Sequence, residues 1–206
     1  MDLPEGAFAP GPAWWYWLGG RPAVDLVNTR RERWRRSVDC LTSAADVVEW
    51  LVRAQLLPAA VPAPAGLLGA ARELREAIDA AIAASVAGTA PDSAALAVVD
   101  EWLAYAGGRP QLAPGPDGLP VLGERTASDS PRRGLGMVAL DAARALGDPA
   151  QRARLRICAS TSCSARFYDR SPAGRRRWCS MDLCGNVEKA RRHRARDAAR
   201  ATERTP

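Results

Sequence analysis

Residues 156–185 read RICASTSCSARFYDRSPAGRRRWCSMDLCG, and the four cysteines of this stretch are the most informative feature of the chain. Cys158 and Cys163 are separated by four residues, Cys179 and Cys184 by another four, and 15 residues lie between the pairs. Two close pairs can supply four thiolates to one tetrahedral ion, and zinc prefers soft sulfur ligands. The spacing therefore predicts a structural Zn²⁺ site. Unrelated free cysteines and an iron–sulfur cluster remain the alternatives.

The composition is that of a globular protein, and the chain shows neither a membrane span nor a secretory signal. Of the 206 residues 47% are hydrophobic and 25% charged, and no run approaches the ~18 apolar residues of a membrane span. The acidic residues 1–5 are not followed by the apolar segment of a secretory signal. We expect a cytoplasmic protein without membrane contact, whose cysteines bind metal rather than form disulfides. The fifth cysteine, Cys40, is expected to be buried or half-buried.

Positive charge is concentrated at the C-terminal end. From Arg152 onward the chain has 15 basic and 5 acidic residues, whereas residues 1–151 have 14 basic and 18 acidic residues. A preference for arginine over lysine across the whole chain would not explain this concentration. The asymmetry indicates a neutral-to-acidic body joined to a segment that binds an anion, and nucleic acid is the anion we expect.

Hydrophobic periodicity predicts a mostly helical domain over residues 1–150. Ser43 should cap a helix that runs to about Leu57, and further helices are predicted over about 65–87, 96–106 and 135–146, with glycines after them. Residues 111–124 surround the turn signal PGPDG and predict a β-hairpin, and the aromatic residues 14–18 predict a short strand. Residues 21–28 could begin a helix or lead into one.

The composition changes near Asp148 and Pro149, so residues 151–206 are predicted to form a second domain. Short strands are predicted at 155–157 and 167–169, and a helix at about 182–201 with Cys184 in its first turn. The predicted fold class is α+β, with a small β element in the helical domain and a treble-clef or ribbon-like C4 zinc finger after it. Zinc should contribute roughly 10–16 kcal/mol to so small a finger.

The residues around the cysteines resemble a known family. The run RRRWCSM at 175–181, the CGN at 184–186 and the pattern of Phe167, Asp169 and Ser171 look like the CGNR zinc finger over about 153–196. Residues 19–29, GGRPAVDLVNT, with the helices after them, are similar to the ABATE domain that precedes this finger in many bacterial proteins. The resemblance implies a stress-induced transcription regulator. One departure is Val187, where the family motif has Arg.

The arginines near the finger point to nucleic acid. Lys189, Arg192, Arg196 and Arg200 recur at helical spacing and form one stripe, which Arg191 and Arg194 broaden. Arg175, Arg176 and Arg177 would add a second patch. Arginine binds phosphate and guanine edges with two parallel hydrogen bonds, so the simplest hypothesis is a helix in the DNA major groove with the triplet on the backbone. The alternative is a solvated face paired internally, with Glu188 bound to Arg192 and Asp197 to Arg194.

The N-terminal domain offers a weaker candidate site. Asp25, Asn28 and Arg30 could line a ligand pocket beside the tryptophans of the aromatic segment, although Asp and Asn also cap helices and Trp also builds cores. No catalytic motif is apparent, and His193, the single histidine, lies among the arginines. We therefore predict that the protein is not an enzyme.

Three hypotheses about function follow. The first is a zinc-dependent, DNA-binding transcription regulator whose N-terminal domain senses a small-molecule effector or a protein partner. The second is an RNA-binding or protein-interaction module with zinc as its scaffold. The third is a thiol redox switch, because thiolates beside arginines are reactive. A homodimer would suit the first hypothesis, because one finger reads few base pairs.

Overall fold

The structure is a computed structural model that describes residues 15–125 and 130–203, with only the backbone described at 109–110, 124–125 and 198–203. Residues 20–152 form α1 (Pro22–Val27), β1 (Arg30–Arg31), β2 (Val38–Asp39), α2 (Ala44–Arg53), α3 (Leu67–Ala87), α4 (Ser93–Leu103), β3 (Arg109–Pro114), β4 (Pro120–Arg125), α5 (Pro131–Gly147) and α6 (Pro149–Arg152). The C-terminal part forms β5 (Leu155–Ile157), β6 (Arg166–Tyr168), a π-helical turn (Met181–Gly185) and α7 (Asn186–Glu203). The α+β fold class is confirmed.

The predicted helices are present, with shifts at their ends. Ser43 caps α2 through a capping box, in which its hydroxyl accepts from the Asp46 N–H at 3.2 Å and the Asp46 carboxylate accepts from the Ser43 N–H at 2.8 Å. Gly88, at a φ of 73°, ends α3 as predicted. The next helix ends at Leu103 rather than near residue 106, because residues 104–106 continue as turns.

The hydrophobic core surrounds α3. Leu74 and Ile78 on this helix have no exposed surface, and they belong to one cluster with Trp50 of α2 and Leu135 of α5. At Gly136 the backbone of α5 approaches the end of α4 closely, and a Cβ there would lie 2.7 Å from the Ala106 nitrogen. Burial of the apolar helix faces therefore holds this part of the chain together.

The predicted hairpin is confirmed as β3 and β4. Leu112 is paired with Leu122 across the two strands, and the turn is closed by a 2.7 Å hydrogen bond from the Gly115 N–H to the Leu119 carbonyl. Both leucines are exposed, and among the described residues neither strand packs extensively against a helix. The hairpin thus extends from the helical core into solvent.

The aromatic segment does not form the predicted strand. Trp14 lies outside the described residues, and residues 15–18 have no regular secondary structure. Trp15 is buried in the core and Trp17 stacks on Trp50 with ring centroids 5.8 Å apart, so side-chain packing rather than strand pairing orders this segment. The helix α1 lies within residues 21–28, for which a helix was one of two alternatives, whereas the β1–β2 pair and α6 were not predicted, since each is too short to show a periodicity.

The C-terminal part packs directly against the helical core. Leu155 of β5 is 1% exposed within the core cluster, and Tyr168 of β6 packs against the same cluster. The Tyr168 N–H donates to the Gly19 carbonyl at 2.7 Å. The predicted division between residues 150 and 151 falls within α6, and the two parts share apolar contacts through Leu155 and Tyr168. Among the described residues, no helix is both long and apolar enough to cross a membrane.

Candidate metal centre and basic helix

The first cysteine pair lies in the loop that joins β5 to β6. The Cys158 N–H donates to the Ala165 carbonyl at 2.9 Å, which continues the ladder of the two strands, and the Cys163 N–H donates to the Ser160 carbonyl at 3.2 Å. The Ala165 N–H then points at the Cys163 sulfur, 3.4 Å away. The loop therefore turns both sulfur atoms to one side and gives one of them a backbone donor.

The second pair lies at the start of the C-terminal helix. Cys179 precedes the π-helical turn, and Cys184 belongs to that turn rather than to the first turn of α7, where it was predicted. The Ser180 hydroxyl accepts from the Leu183 N–H at 3.4 Å, and the Ser180 carbonyl accepts from the Cys184 N–H at 3.2 Å. The wider turn brings Cys184 back beside Cys179.

All four sulfur atoms lie within 4.8 Å of one another. The Sγ atoms of Cys163 and Cys179 are 3.8 Å apart, and those of Cys179 and Cys184 are 3.7 Å apart. A tetrahedral ion with Zn–S bonds of about 2.3 Å separates its sulfur ligands by about 3.8 Å. A disulfide would need about 2.05 Å. The four thiols are free and lie close to the separation that a single tetrahedral metal ion requires.

Electrostatics also favour a cation at the centre of this cluster. Hydrogen bonds from the neighbouring thiols, first of all Cys163, lower the pKa of Cys158. Hydrogen bonding to Cys158 in turn raises the pKa of Cys179 and of Cys184. The pKa of Cys163 is lowered as well, so the thiols of the first pair ionise more readily than those of the second, and a dication would favour the thiolate form of all four.

The residues of the family pattern brace this centre. Phe167 forms a small buried cluster with Cys158, Cys179 and Cys184. The Asp169 side chain is fully buried and accepts from two backbone donors, the Ser171 N–H at 3.0 Å and the Arg176 N–H at 2.8 Å. These bonds tie β6 to the arginine triplet.

The members of the arginine triplet have different environments. The Arg176 guanidinium lies 5.2 Å from the centroid of the Phe167 ring and donates to the Cys179 carbonyl, so it closes the metal centre from outside. Arg177 lies over the Trp178 ring at 5.4 Å. Arg175 is exposed, as are the other two residues of the triplet. The triplet is therefore partly a support for the finger and partly an exposed cationic patch.

The base of α7 is anchored to the first cysteine loop. Glu188 is 3% exposed and accepts from the Ser160 hydroxyl at 2.9 Å. Its second carboxylate oxygen pairs with Arg191 at 2.9 Å, and Arg191 also donates to the Thr161 hydroxyl. Glu188 was not predicted as a site residue, although an acidic side chain in so basic a helix was a signal for a structural role.

Beyond this anchor the described side chains of the helix are exposed to solvent. Every residue from Lys189 to Asp197 is exposed, and the basic side chains among them are Lys189, Arg191, Arg192, Arg194 and Arg196. Arg200 lies in the same helix, but its side chain is outside the described ones. The ion pairs of α7 differ from those that the sequence suggests. Glu188 pairs with Arg191 rather than Arg192, and Asp197 pairs with His193 rather than Arg194. Val187, the second residue of α7, is 52% exposed.

The three residues of the predicted ligand pocket have structural partners. The Asp25 carboxylate is buried and accepts from the Gly19 N–H at 2.7 Å, and burial raises its pKa to about 7. Asn28 exchanges two hydrogen bonds of 2.9 Å with the backbone of Arg166, so its amide pairs with β6 as another strand would. Arg30 binds the Ser37 hydroxyl and pairs with Glu76 at 3.2 Å.

Asn28 and Arg30 do line a cavity between the two parts of the chain, whereas Asp25 is not among its lining residues. The cavity contains about 610 Å³ of empty space, open solvent at its mouth included. Its remaining walls come from Tyr16, Leu18, Arg31 and Glu32 on one side and from Ser162, Cys163, Ser164, Ala165, Cys179, Leu183 and Cys184 on the other. The sequence did not predict this cavity, because its two walls come from segments that are far apart along the chain.

A second interaction joins the parts beside this cavity. Arg166 is 6% exposed, and its Nε lies 2.6 Å from a carboxylate oxygen of Asp79 on α3. Arg33 pairs with the same carboxylate group at 3.1 Å. Arg166, which follows the first cysteine loop, is therefore fixed to the helical core by both its backbone and its side chain. We call the contacts of Arg166 with Asn28 and Asp79 the seam.

Two family models match the chain. Residues 20–149 match the ABATE family, described as "putative stress-induced transcription regulator", and residues 154–197 match the CGNR zinc finger. Both resemblances predicted from the sequence are confirmed. A search of curated protein sequences gave no match.

Proposed function

The chain belongs to the ABATE family and carries a CGNR zinc finger, and we propose that it is a zinc-dependent DNA-binding transcription regulator. The observation that carries the proposal is the anchored but exposed arginine surface of α7 beside the four-cysteine centre. In this assignment Cys158, Cys163, Cys179 and Cys184 bind Zn²⁺, and the zinc holds the basic surface in place. The protein would act by binding rather than by catalysis, in the cytoplasm.

The sulfur separations of 3.7 and 3.8 Å support zinc as the ion, because they match the edge of a tetrahedral Zn–S₄ site. Elemental analysis of the purified chain should give one zinc per molecule, and the Cys179→Ser variant should lose it. A visible absorption band with bound iron would identify an iron–sulfur cluster instead and would refute this part of the proposal.

Nucleic-acid binding is supported by the length and exposure of the helix. Every residue of α7 from Lys189 to Asp197 is exposed, and Arg192 lies over the Trp178 ring at 6.0 Å, so this stretch buries too little apolar surface to gain much from tertiary packing. Arginines three and four positions apart repel each other unless an anion lies between them. Phosphate groups would remove that repulsion, and Arg192 and Arg196 would face them from one side.

The test is a selection from a random duplex DNA pool, with the zinc-loaded protein and with the chelated protein in parallel. We expect enrichment of a sequence motif only with zinc, and an affinity that falls with salt at a slope of about −0.9 per neutralised phosphate. The variants Arg192→Ala and Arg196→Ala should each weaken binding and reduce the slope by about 1. Arg144→Ala, at an exposed arginine of α5, is the matched control and should bind normally.

The second candidate is a zinc-scaffolded RNA-binding or protein-interaction module. It is favoured by Val187, which replaces the arginine of the family motif, and by Arg176 and Arg191, whose guanidinium groups bind within the finger. A parallel selection from an RNA pool separates the two candidates. Enrichment of RNA alone, or of neither nucleic acid, would replace the DNA-binding assignment.

For the N-terminal domain we propose a sensing role, in which a small-molecule effector or a partner protein changes the position of the finger. The shared core at Leu155 and the pairing of Asn28 with Arg166 support such coupling. A homodimer would let two fingers read adjacent half-sites. Sedimentation of the protein with and without the selected duplex tests this stoichiometry, and one chain per duplex would refute the dimer.

A further inference from the structure

The four cysteines differ in their access to solvent. Cys158, Cys179 and Cys184 are 4%, 3% and 7% exposed, whereas Cys163 is only half-buried. Cys163, Cys179 and Cys184 line the cavity between the helical domain and the finger, whereas Cys158 does not. A small molecule that enters this cavity therefore meets Cys163 as the least buried of the cysteines in its wall.

We propose that Cys163 is the entry point for oxidation of the metal centre by a hydroperoxide, and that Cys179 completes the reaction as the second thiolate. The proposal rests on the zinc assignment made above. It assigns a specific chemistry to the cavity, because three of the four cysteines lie in its wall and Cys163 is the only one of the four that is not buried.

The walls of the cavity suit this chemistry. Arg30 and Arg31 stand on the side contributed by the helical domain, and Arg30 is held in place by Ser37 and Glu76. Arg31 is ordered over the Tyr16 ring at 5.2 Å. Among the charged lining residues these two arginines outnumber the one carboxylate, Glu32, and a net positive charge favours the attack of a thiolate on a peroxide and the departure of the anionic oxygen.

The reaction balances as a two-electron oxidation. The Cys163 thiolate attacks the nearer peroxide oxygen, the O–O bond breaks, and with one proton from water the products are a sulfenic acid and an alcohol or water. The Cys179 thiolate, 3.8 Å away, then attacks the Cys163 sulfur and displaces hydroxide. Two thiolates are oxidised to one disulfide and the peroxide is reduced. The two thiolates that remain are too few to retain the zinc ion.

Oxidation of Cys163 and Cys179 would affect contacts in the finger and in the helical domain. The Ala165 N–H donates to the Cys163 sulfur, and Arg166 is the next residue, held by Asn28 and Asp79. A disulfide between Cys163 and Cys179 would also draw these two sulfurs from 3.8 Å to about 2.05 Å. The cysteine loop, which carries the Ser160 anchor of α7 and leads into the seam at Arg166, is therefore the segment that oxidation would change.

The test uses the zinc-loaded full chain, treated anaerobically with stoichiometric hydrogen peroxide. A sulfenic-acid trap is present in one arm, and a chromogenic chelator follows zinc in the other. Trypsin places Cys158 and Cys163 in residues 157–166, and Cys179 and Cys184 in residues 178–189, so tandem mass spectrometry can assign each sulfur. We expect the first label on Cys163, then a disulfide between the two peptides, with one zinc released per disulfide.

First labelling of Cys158, Cys179 or Cys184, or a disulfide within one peptide, would overturn the proposal. Cys40 is an internal reference, because burial raises the pKa of its thiol and it should react more slowly than Cys163. Zinc content is measured before oxidation. A chain without zinc would contradict the proposed function, while the order of labelling would still decide the role of Cys163.

The route through the cavity has its own test. Ser162 is exposed and lines the cavity, and Ser162→Trp should narrow it and slow the labelling of Cys163 by several-fold while zinc content is unchanged. Ala173→Trp, at an exposed position that is not among the lining residues, is the matched control and should react at the original rate. Equal rates in both variants would show that the oxidant reaches Cys163 by another route and would overturn the role of the cavity.

Discussion

The helical domain and the finger are stabilised by different interactions. Around α3 the domain buries large apolar side chains such as Trp50, Leu74 and Ile78, whereas the buried cluster of the finger consists of Phe167 and three cysteines. Apolar burial needs no cofactor, but a thiolate cluster is stable only with its cation. One chain can therefore combine a permanent part with a part whose order depends on metal.

Removal of the metal should have the largest effect of the changes considered, and we expect it to unfold the finger while the helical domain stays folded. Structural zinc is worth roughly 10–16 kcal/mol in small finger peptides. A strong chelator should therefore bring the amide hydrogen exchange of residues 157–185 close to the unfolded rate, while α3 and α5 stay protected. Mass-spectrometric exchange measures this, and an equal loss of protection in α3 would show that the two parts unfold together.

A core substitution should act on the other part. Ile78→Ala removes a fully buried side chain, so we expect a loss of about 2–5 kcal/mol in the free energy of unfolding. The loss should be the same with zinc and with chelator, as measured by denaturant unfolding. Val86→Ala changes an exposed position of the same helix and should stay within about 0.5 kcal/mol of the original protein. A zinc-dependent loss for Ile78→Ala would mean that the helical core also depends on the metal.

The seam should show how far the two parts are coupled. Asn28→Ala leaves the buried N–H and carbonyl of Arg166 without their partner, which costs about 1–3 kcal/mol. Because Arg166 follows the cysteine loop, we also expect a loss of zinc affinity of roughly 10–100-fold, as for other groups that orient metal ligands. Competition with a calibrated chelator measures this affinity. Ala173→Ser, at an exposed position of the finger, should leave it unchanged.

The smallest effect that we predict is a pH dependence of the helical part alone. Burial raises the pKa of Asp25 from 3.8 to about 7, so the folded state holds a proton that the unfolded state releases near pH 4. The resulting stability is fully present below about pH 4 and is lost as the pH rises through 7. Between about pH 6 and 8 the loss should be about 1.4 kcal/mol, measured by denaturant unfolding. Asp25→Asn should lack it, and identical pH profiles for the two proteins would contradict this assignment.

Local patterns were sufficient for much of the fold. The capping box at Ser43, the glycine at 88 and the PGPDG turn act through neighbouring residues, so the sequence predicts them directly. The aromatic segment was predicted wrongly because its side chains respond to a distant surface at Trp50. For residues 21–28 the sequence left two alternatives open, because the six residues of α1 gain order from burial against other helices rather than from their own propensity.

For the candidate site the division is similar. The sequence alone predicts the four cysteine ligands in two pairs and the basic stripe, because spacing along the chain defines a ligand set and a helix face. Three further features emerged from the folded chain: Glu188 anchors the helix, Asn28 pairs with a residue 138 positions away, and Cys163 is the least buried of the four cysteines. Such contacts follow from packing between distant segments, which leaves no period and no local motif in the sequence.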